Sequence, residues 1–336
     1  MPFVDRHVHL LAMAAERLSL DCRAELVPDI PTLLARLARA GAELGPGEWV
    51  RATGFDDAFV AERRLPTREE LDHALPGTPL VLHHRTGHLR LRNTAAGDAP
   101  APPLDGDDVA EAMREISLEL TRVGVVELHD ASPSNLDDWR LLRRWVDDLV
   151  VTQDLTVMPG FAHLDEFIDA GLHYGTHHGH LTVGPAKVLV PAGEIAAAVR
   201  EAHAREWPVA VHVMDVDELV AALGVVGQDD RLEHVALSLP EQVAQIAASG
   251  ATVVTQPSFL VHRRTKYLEQ LTPTEHDWLY RVRTLLDAGV RVHLSSDAPV
   301  VPADPDEIVR AAVERDLNPA EAVDVDTARA LMAPGP

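Results

Sequence analysis

Five residues have side chains that could share one task. His7 and His9 lie two apart near the start of the chain, and His212, His234 and Asp297 follow at long intervals. Imidazole nitrogen with carboxylate oxygen is the donor set that suits Zn2+ and similar divalent ions. A His-x-His pair by itself says little, because a half-exposed strand end often carries polar residues. Here, however, all five fall at or directly after the ends of predicted strands, at 3–9, 208–214, 231–236 and 290–296. Alternation puts residues i and i+2 on one strand face, so His7 and His9 can hold one ion between them. A purely structural role does not require four histidines and a carboxylate on four strand ends. Metal binding does.

Strand ends so far apart in sequence must be brought together by the fold. From about residue 120 short β-branched runs alternate with helical stretches, the mark of parallel βα units. Strands are expected at 3–9, 123–130, 155–161, 183–190, 208–214, 231–236, 251–256 and 290–296. Helices are expected at 134–149, opening at Ser134 with Leu136, Trp139, Leu142, Trp145 and Val146 at helical spacing, and at 192–206, between Pro191 and Pro208. Two more are expected at 239–249, ending at Gly250, and at 273–288, between a Thr272 cap and Gly289. Eight strands with helices between them predict an α/β fold, a (β/α)8 TIM barrel whose chemistry gathers at the C-terminal strand ends. An open doubly wound sheet is the alternative.

Residues 10–122 are too many for one βα connection. The expected division is therefore a barrel of residues 1–10 and 120–336, with residues 11–119 as an insertion on its mouth. That insertion should hold a helix around 29–42, extended stretches near 48–54 and 79–85, and a Pro/Ala-rich loop at 97–107.

Composition narrows the function classes. The chain has 336 residues, 46% hydrophobic and 25% charged, ordinary for a soluble globular protein with a large core. A net charge of −23 argues against nucleic acid and anionic membrane surfaces as partners, since both call for a basic face. No apolar run is long enough to span a bilayer, and the N-terminus shows no export signal. Cys22 is the single cysteine and cannot form an internal disulfide, which fits a reducing, cytoplasmic setting. The eighteen histidines are a surplus that this background leaves to be explained.

The segments DRHVHL (5–10), VAVHVMD (209–215), RLEH (231–234), VTQP (254–257) and LSSDAPV (294–300) resemble the amidohydrolase superfamily. They are most similar to its YtcJ-like, amidohydrolase-3 type branch. In the insertion, GFDDAF (54–59), LPTREELDHALPGTPLVL (65–82) and TGHLRLRNTAA (86–96) resemble the same branch, as does GVVELHDAS (124–132) in the second strand. The resemblance spans nearly the whole chain. It departs from the branch in three places. Strand one begins at residue 3 and thirty-nine residues follow Asp297, which implies a short form without the usual β-sandwich. The stretch after the strand-four lysine reads VLVPAGE (188–194), and Asp215 and Val216 stand where the branch usually has Gly-Asp.

The resemblance implies roles. His7 and His9 would ligate the more buried metal, with Asp297 a further ligand and the proton-handling carboxylate. His212 and His234 would ligate a second ion in a two-metal centre; with one metal, His212 stays a ligand and His234 polarises the substrate. Lys187 stands where many members carry a carboxylated lysine bridging two ions. A simple ion pair with Asp297 or another carboxylate is the other reading of that lysine. His88 and Asp56 match insertion residues that would reach the substrate, while His129 and Gln256 are read as strand-end residues lining the pocket. A metal-dependent hydrolase is thus implied, cleaving the C–N bond of an amide, formamide or cyclic amide by attack of a metal-bound hydroxide. Asp297 would be the proton shuttle and Zn2+ the first choice of ion, one or two per chain. A heterocycle deaminase on the same site, or a repurposed non-hydrolytic metal-binding barrel, stays open. The expected partner is a small-molecule substrate, and a homodimer is one expectation for assembly.

Overall fold

The computed structural model describes residues 1–85, 89–98, 101–102, 104 and 106–335. The chain divides into two compact units, Met1–Leu10 with Arg114–Pro336, and Leu11–Met113. Its strands are, in chain order, β1 (Phe3–Val8), β2 (Leu20–Asp21), β3 (Val50–Phe55), β4 (Leu80–His84), β5 (Arg90–Arg92), β6 (Val125–Ser134) and β7 (Asp154–Pro159). There follow β8 (His177–His178), β9 (Leu181–Val183), β10 (Ala186–Val188), β11 (Val209–Val213), β12 (Arg231–His234), β13 (Thr252–Thr255) and β14 (Val292–Leu294).

The larger unit is α/β and rich in parallel strands, as its sequence rhythm predicts. It holds two five-stranded sheets, ordered β1-β6-β7-β9-β8 and β10-β11-β12-β13-β14. Every pairing in them is parallel except that of β8 with β9. Two isolated parallel bridges, Gly160 with Lys187 and Val8 with Ala298, connect the sheets. Strands covered on both faces read as near-continuous apolar runs, and all of β1 and β10 is buried. Helices between the strands bury one stripe each. Leu136–Asp147 buries Trp139, Leu142, Trp145 and Val146, and Ala192–Ala204 buries Ile195, Ala198, Val199 and Ala202.

Three elements differ from expectation. The run 183–190 is two strands, because Gly184 and Pro185 interrupt it; β9 pairs with β7, and β10 pairs with β11. A Cβ at Gly184 would stand 2.7 Å from Thr156 Cγ2 and 3.2 Å from the Val157 carbonyl oxygen, so the close approach of β7 favours glycine here. The helix expected at 134–149 starts later, since β6 continues through Ser134 and Asn135 is the cap, accepting from the N–H groups of Asp137 and Asp138. The helix expected at 273–288 is broken into Pro273–His276 and Val282–Asp287. Between them Tyr280 takes a left-handed φ of 43° and donates its N–H to the Ala236 carbonyl, a contact that an uninterrupted helix would forfeit.

The smaller unit holds the sheet β2-β3-β4-β5, with β4 and β5 antiparallel. Helix Ile30–Ala42, capped by Asp29, and helix Arg68–Ala74, closed by a Thr67–Glu70 capping box, flank an apolar cluster that includes Leu33, Leu37, Val50, Phe55, Leu71 and Leu80. Cys22 is buried in that cluster, and burial pushes its thiol up to about 12. No helix among the described residues is long and apolar enough to cross a membrane.

Candidate metal centre

The site is assembled where β1, β11, β12 and the turn after β14 come together in the larger unit. Asp297 is tied to β1 by two backbone bonds: its own N–H donates to the His7 carbonyl, and the His9 N–H donates to the carbonyl of Ala298. Beneath that turn, buried Asp5 accepts from the Ser296 N–H at 3.1 Å and from the Ser296 hydroxyl at 2.6 Å. Burial raises the Asp5 carboxyl to about 6 despite these bonds. Two residues of the site carry left-handed backbone that is rare outside glycine, His234 at φ 69° and Asp297 at φ 67°. Such geometry concentrates where function overrides local preference.

The left-handed turn at His234 matters for aim. In the β11–β12 register His212 lies beside Glu233, so those two side chains share a face. Simple alternation would send His234 to the opposite face. Instead its ring centroid lies 4.7 Å from that of His7 and 4.7 Å from that of His212. His7 and His9 are 5.3 Å apart, ring to ring. The Asp297 Oδ1 sits 2.9 Å from His9 Nε2 and 3.4 Å from His7 Nε2. Donor atoms of His7, His234 and Asp297 all fall within 4.8 Å of one another.

The second nitrogen of each ring decides whether the first is available. His7 Nδ1 contacts Glu233 Oε2 at 2.5 Å, His9 Nδ1 contacts the Ser132 hydroxyl at 3.1 Å, and His234 Nδ1 contacts the Gln256 amide oxygen at 2.8 Å. An amide oxygen or a carboxylate only accepts, so Nδ1 carries the proton in His7 and His234 and Nε2 is left with a free lone pair. Burial holds both rings well below the ordinary histidine range, hence neutral. Neutral imidazoles with a supported Nδ1–H are what a divalent ion requires. Lys187, on β10, is buried with its Nζ lacking a hydrogen-bond partner, and burial lowers its pKa. An orphaned nitrogen among such donors fits a centre built around an added group. These residues form a candidate divalent-metal site.

The remaining expected residues fall out differently. His129 is not at a strand end, because β6 runs on to Ser134, and its ring is held between Glu127 and Arg231. Gln256 directly follows β13 and is fully buried, its amide spent on His234 Nδ1 and on the Ser295 hydroxyl at 2.9 Å. Asp215, where the branch usually has glycine, caps the helix Val216–Leu223. Asp56 belongs to the smaller unit, where its Oδ1 lies 3.7 Å from His84 Nε2 and Asp57 Oδ1 lies 3.1 Å from the same atom. Asp56, Asp57 and His84 offer ligand atoms within 4.8 Å of one another, a second group that could hold an ion. His88 lies outside the described residues. The sequence reading missed Glu233, Ser132 and Arg231. Glu233 stood next to His234 in RLEH, but nothing in the sequence announces the left-handed turn that lets neighbours face the same way.

The amidohydrolase family pattern matches residues 2–131 and 151–336 of the chain. The chain belongs to the amidohydrolase family, and so to the hydrolytic enzymes acting on carbon–nitrogen bonds. It is 27% identical to an N-substituted formamide deformylase from Arthrobacter pascens, over 97% of this chain and 76% of that protein. Among solved structures it resembles an uncharacterized metal-dependent hydrolase from Pyrococcus horikoshii, with a TM-score of 0.76 and 21% identity over 97% of this chain and 78% of that one. A second such hydrolase, from Pyrococcus furiosus, matches with a TM-score of 0.73 and 21% identity, over 97% of this chain and 79% of the other. These two likenesses establish a shared fold.

Proposed function

We propose that this chain is a zinc-dependent hydrolase that cleaves the C–N bond of a small amide, formamide or cyclic amide. In this reading β1, β6, β7 and β10 to β14 close as a (β/α)8 barrel. The two bridges that connect the sheets support that closure. The observation that carries the function is the convergence of His7, His234 and Asp297 donor atoms within 4.8 Å, with both rings fixed in the tautomer that frees Nε2. His7, His9 and Asp297 would hold the first ion, and His212 with His234 would complete the set. Lys187, once carboxylated, would be a further ligand if a second ion is held. When bound, zinc supplies Lewis acidity toward the carbonyl and a water of lowered pKa.

The chain's own residues do the rest. Asp297 presents Oδ1 to His7 and His9 as a ligand oxygen, and its other carboxylate oxygen takes the proton of the attacking water and delivers it to the leaving nitrogen. Gln256 and the ring of Phe259, stacked 6.3 Å away, keep the His234 imidazole oriented. Apolar residues continue from that ring: Phe259, Leu260, Leu279, Tyr280 and Val301 cluster with Met214, Leu237, Tyr267 and Val300 at the C-terminal ends of β11 to β14. This apolar packing next to His234 is the reason to test substrates with an apolar substituent on nitrogen. The name of the relative from Arthrobacter pascens points to N-substituted formamides as the class to try first.

The test is to incubate zinc-loaded enzyme with N-alkyl and N-aryl formamides and measure formate and amine. Equal release of both, abolished by chelation, is expected. Ammonia released from heterocycles with no formate from any formamide would replace this reading with deamination.

A further inference from the structure

We infer that Glu233 is a positioning residue of the metal centre, locked by Arg231, His129 and Glu127 so that His7 keeps Nε2 open and has a negative charge behind it. This rests on the metal reading above and adds to it a set of residues that touch neither ion nor substrate. The hydrogen bonds allow one direction only. A guanidinium can donate and never accept, and every N–H side of Arg231 is used: Nε donates to Glu233 Oε1 at 2.8 Å, Nη2 to the Arg6 carbonyl at 2.7 Å, and Nη1 to His129 Nδ1 at 2.9 Å. His129 Nδ1 must therefore be the acceptor. Its proton sits on Nε2, which donates to Glu127 Oε1 at 2.8 Å. At the other end Glu233 Oε2 accepts from His7 Nδ1.

Five side chains on three strands are thus ordered by one cation that cannot change its role. Glu233 is wholly buried, and the Arg231 side chain is 12% exposed, so water does not screen the pair. A buried carboxylate without such a partner would be costly and would tend to take up a proton. With Arg231 fixed on one oxygen, the other oxygen remains an acceptor for His7 and raises the basicity of Nε2. Partners of this kind behind a ligating histidine typically contribute ten- to hundredfold in metal affinity.

Zinc affinity, measured by competition with a chromophoric chelator on wild type and on Glu233→Gln, tests the role. The expected result is a ten- to hundredfold weaker affinity in the variant, with a shifted visible absorption band in the cobalt-loaded form. A merely structural residue would lower the melting temperature and move neither. Nitrogen-15 NMR of the metal-free wild type, with His7 assigned through loss of its signal in His7→Asn, gives a second readout that needs no folded Glu233 variant. Protonated Nδ1 and bare Nε2 are expected. Equal affinities in wild type and Glu233→Gln, or a His7 ring protonated on Nε2, would overturn the inference. Wild type that binds no zinc at all would instead overturn the metal reading on which it stands.

Discussion

In the proposed mechanism Asp297 carries the heaviest chemical load of any residue, and its replacement separates chemistry from folding. In Asp297→Asn the amide can still fill the space but cannot take a proton, so turnover should fall by roughly 10²-fold or more. Zinc content measured on the same sample shows whether the ion was kept; near-normal turnover with the ion bound would remove the shuttle role. Gln256 offers a sharper choice. If it supports His234, as its amide contacts indicate, Gln256→Ala should weaken zinc binding by about tenfold while KM changes little. A raised KM with unchanged zinc affinity would return it to the substrate. At this scale the sequence showed the outward-facing half of the site: His7, His9 and Asp297 could be picked out by type and by place at strand ends. The supporting half was hidden. Glu233 looked like the back of its strand because alternation is a rule about regular strands, and the left-handed backbone at His234 suspends it. His129 looked like a strand-end residue of the pocket because β6 was read four residues too short at its C-terminal end.

The elements were more legible than their boundaries. Apolar runs between helices located the larger unit's parallel strands, since burial on both faces leaves a strong signature. Interruptions were harder, because Gly184 and Tyr280 answer to neighbours distant in sequence. Gly160 is another case of close approach: it bridges Lys187, and a Cβ there would stand 2.8 Å from the Pro133 carbonyl oxygen and 3.0 Å from its carbon. Backbone cannot give way as a side chain does. Gly160→Ala should therefore cost on the order of 1–3 kcal/mol in urea unfolding and disturb zinc binding through β10. Asn135→Ala, which removes the cap of helix Leu136–Asp147, should cost about 1 kcal/mol with zinc affinity unchanged. The same loss of affinity in both variants would show that stability, and not the β7–β10 junction, governs the site.

For the molecule as a whole, acid should be the weak side. Burial holds His293 down to about 4, against 6.5 for the free side chain. As pH falls, the unfolded chain takes up this proton before the folded one does. The contribution is complete above about pH 6.5 and is lost between there and about 4, at most on the order of 3 kcal/mol. His7 and His234 are shifted in the same direction by the same cause and add to the loss. Unfolding free energies at pH 7 and 4.5 should fall less in His293→Gln than in wild type; an equal fall in both would place the acid sensitivity elsewhere. Net charge and composition argued against nucleic acid and anionic membranes as partners but said nothing of this, because it depends on which histidines are buried.

The most direct test of the account is elemental analysis of the protein purified without chelators and without a tag near His7. One or two equivalents of divalent metal per chain are expected, lost in His7→Ala and diminished in His234→Ala. Protein that holds no divalent metal, even after reconstitution with zinc, would contradict it.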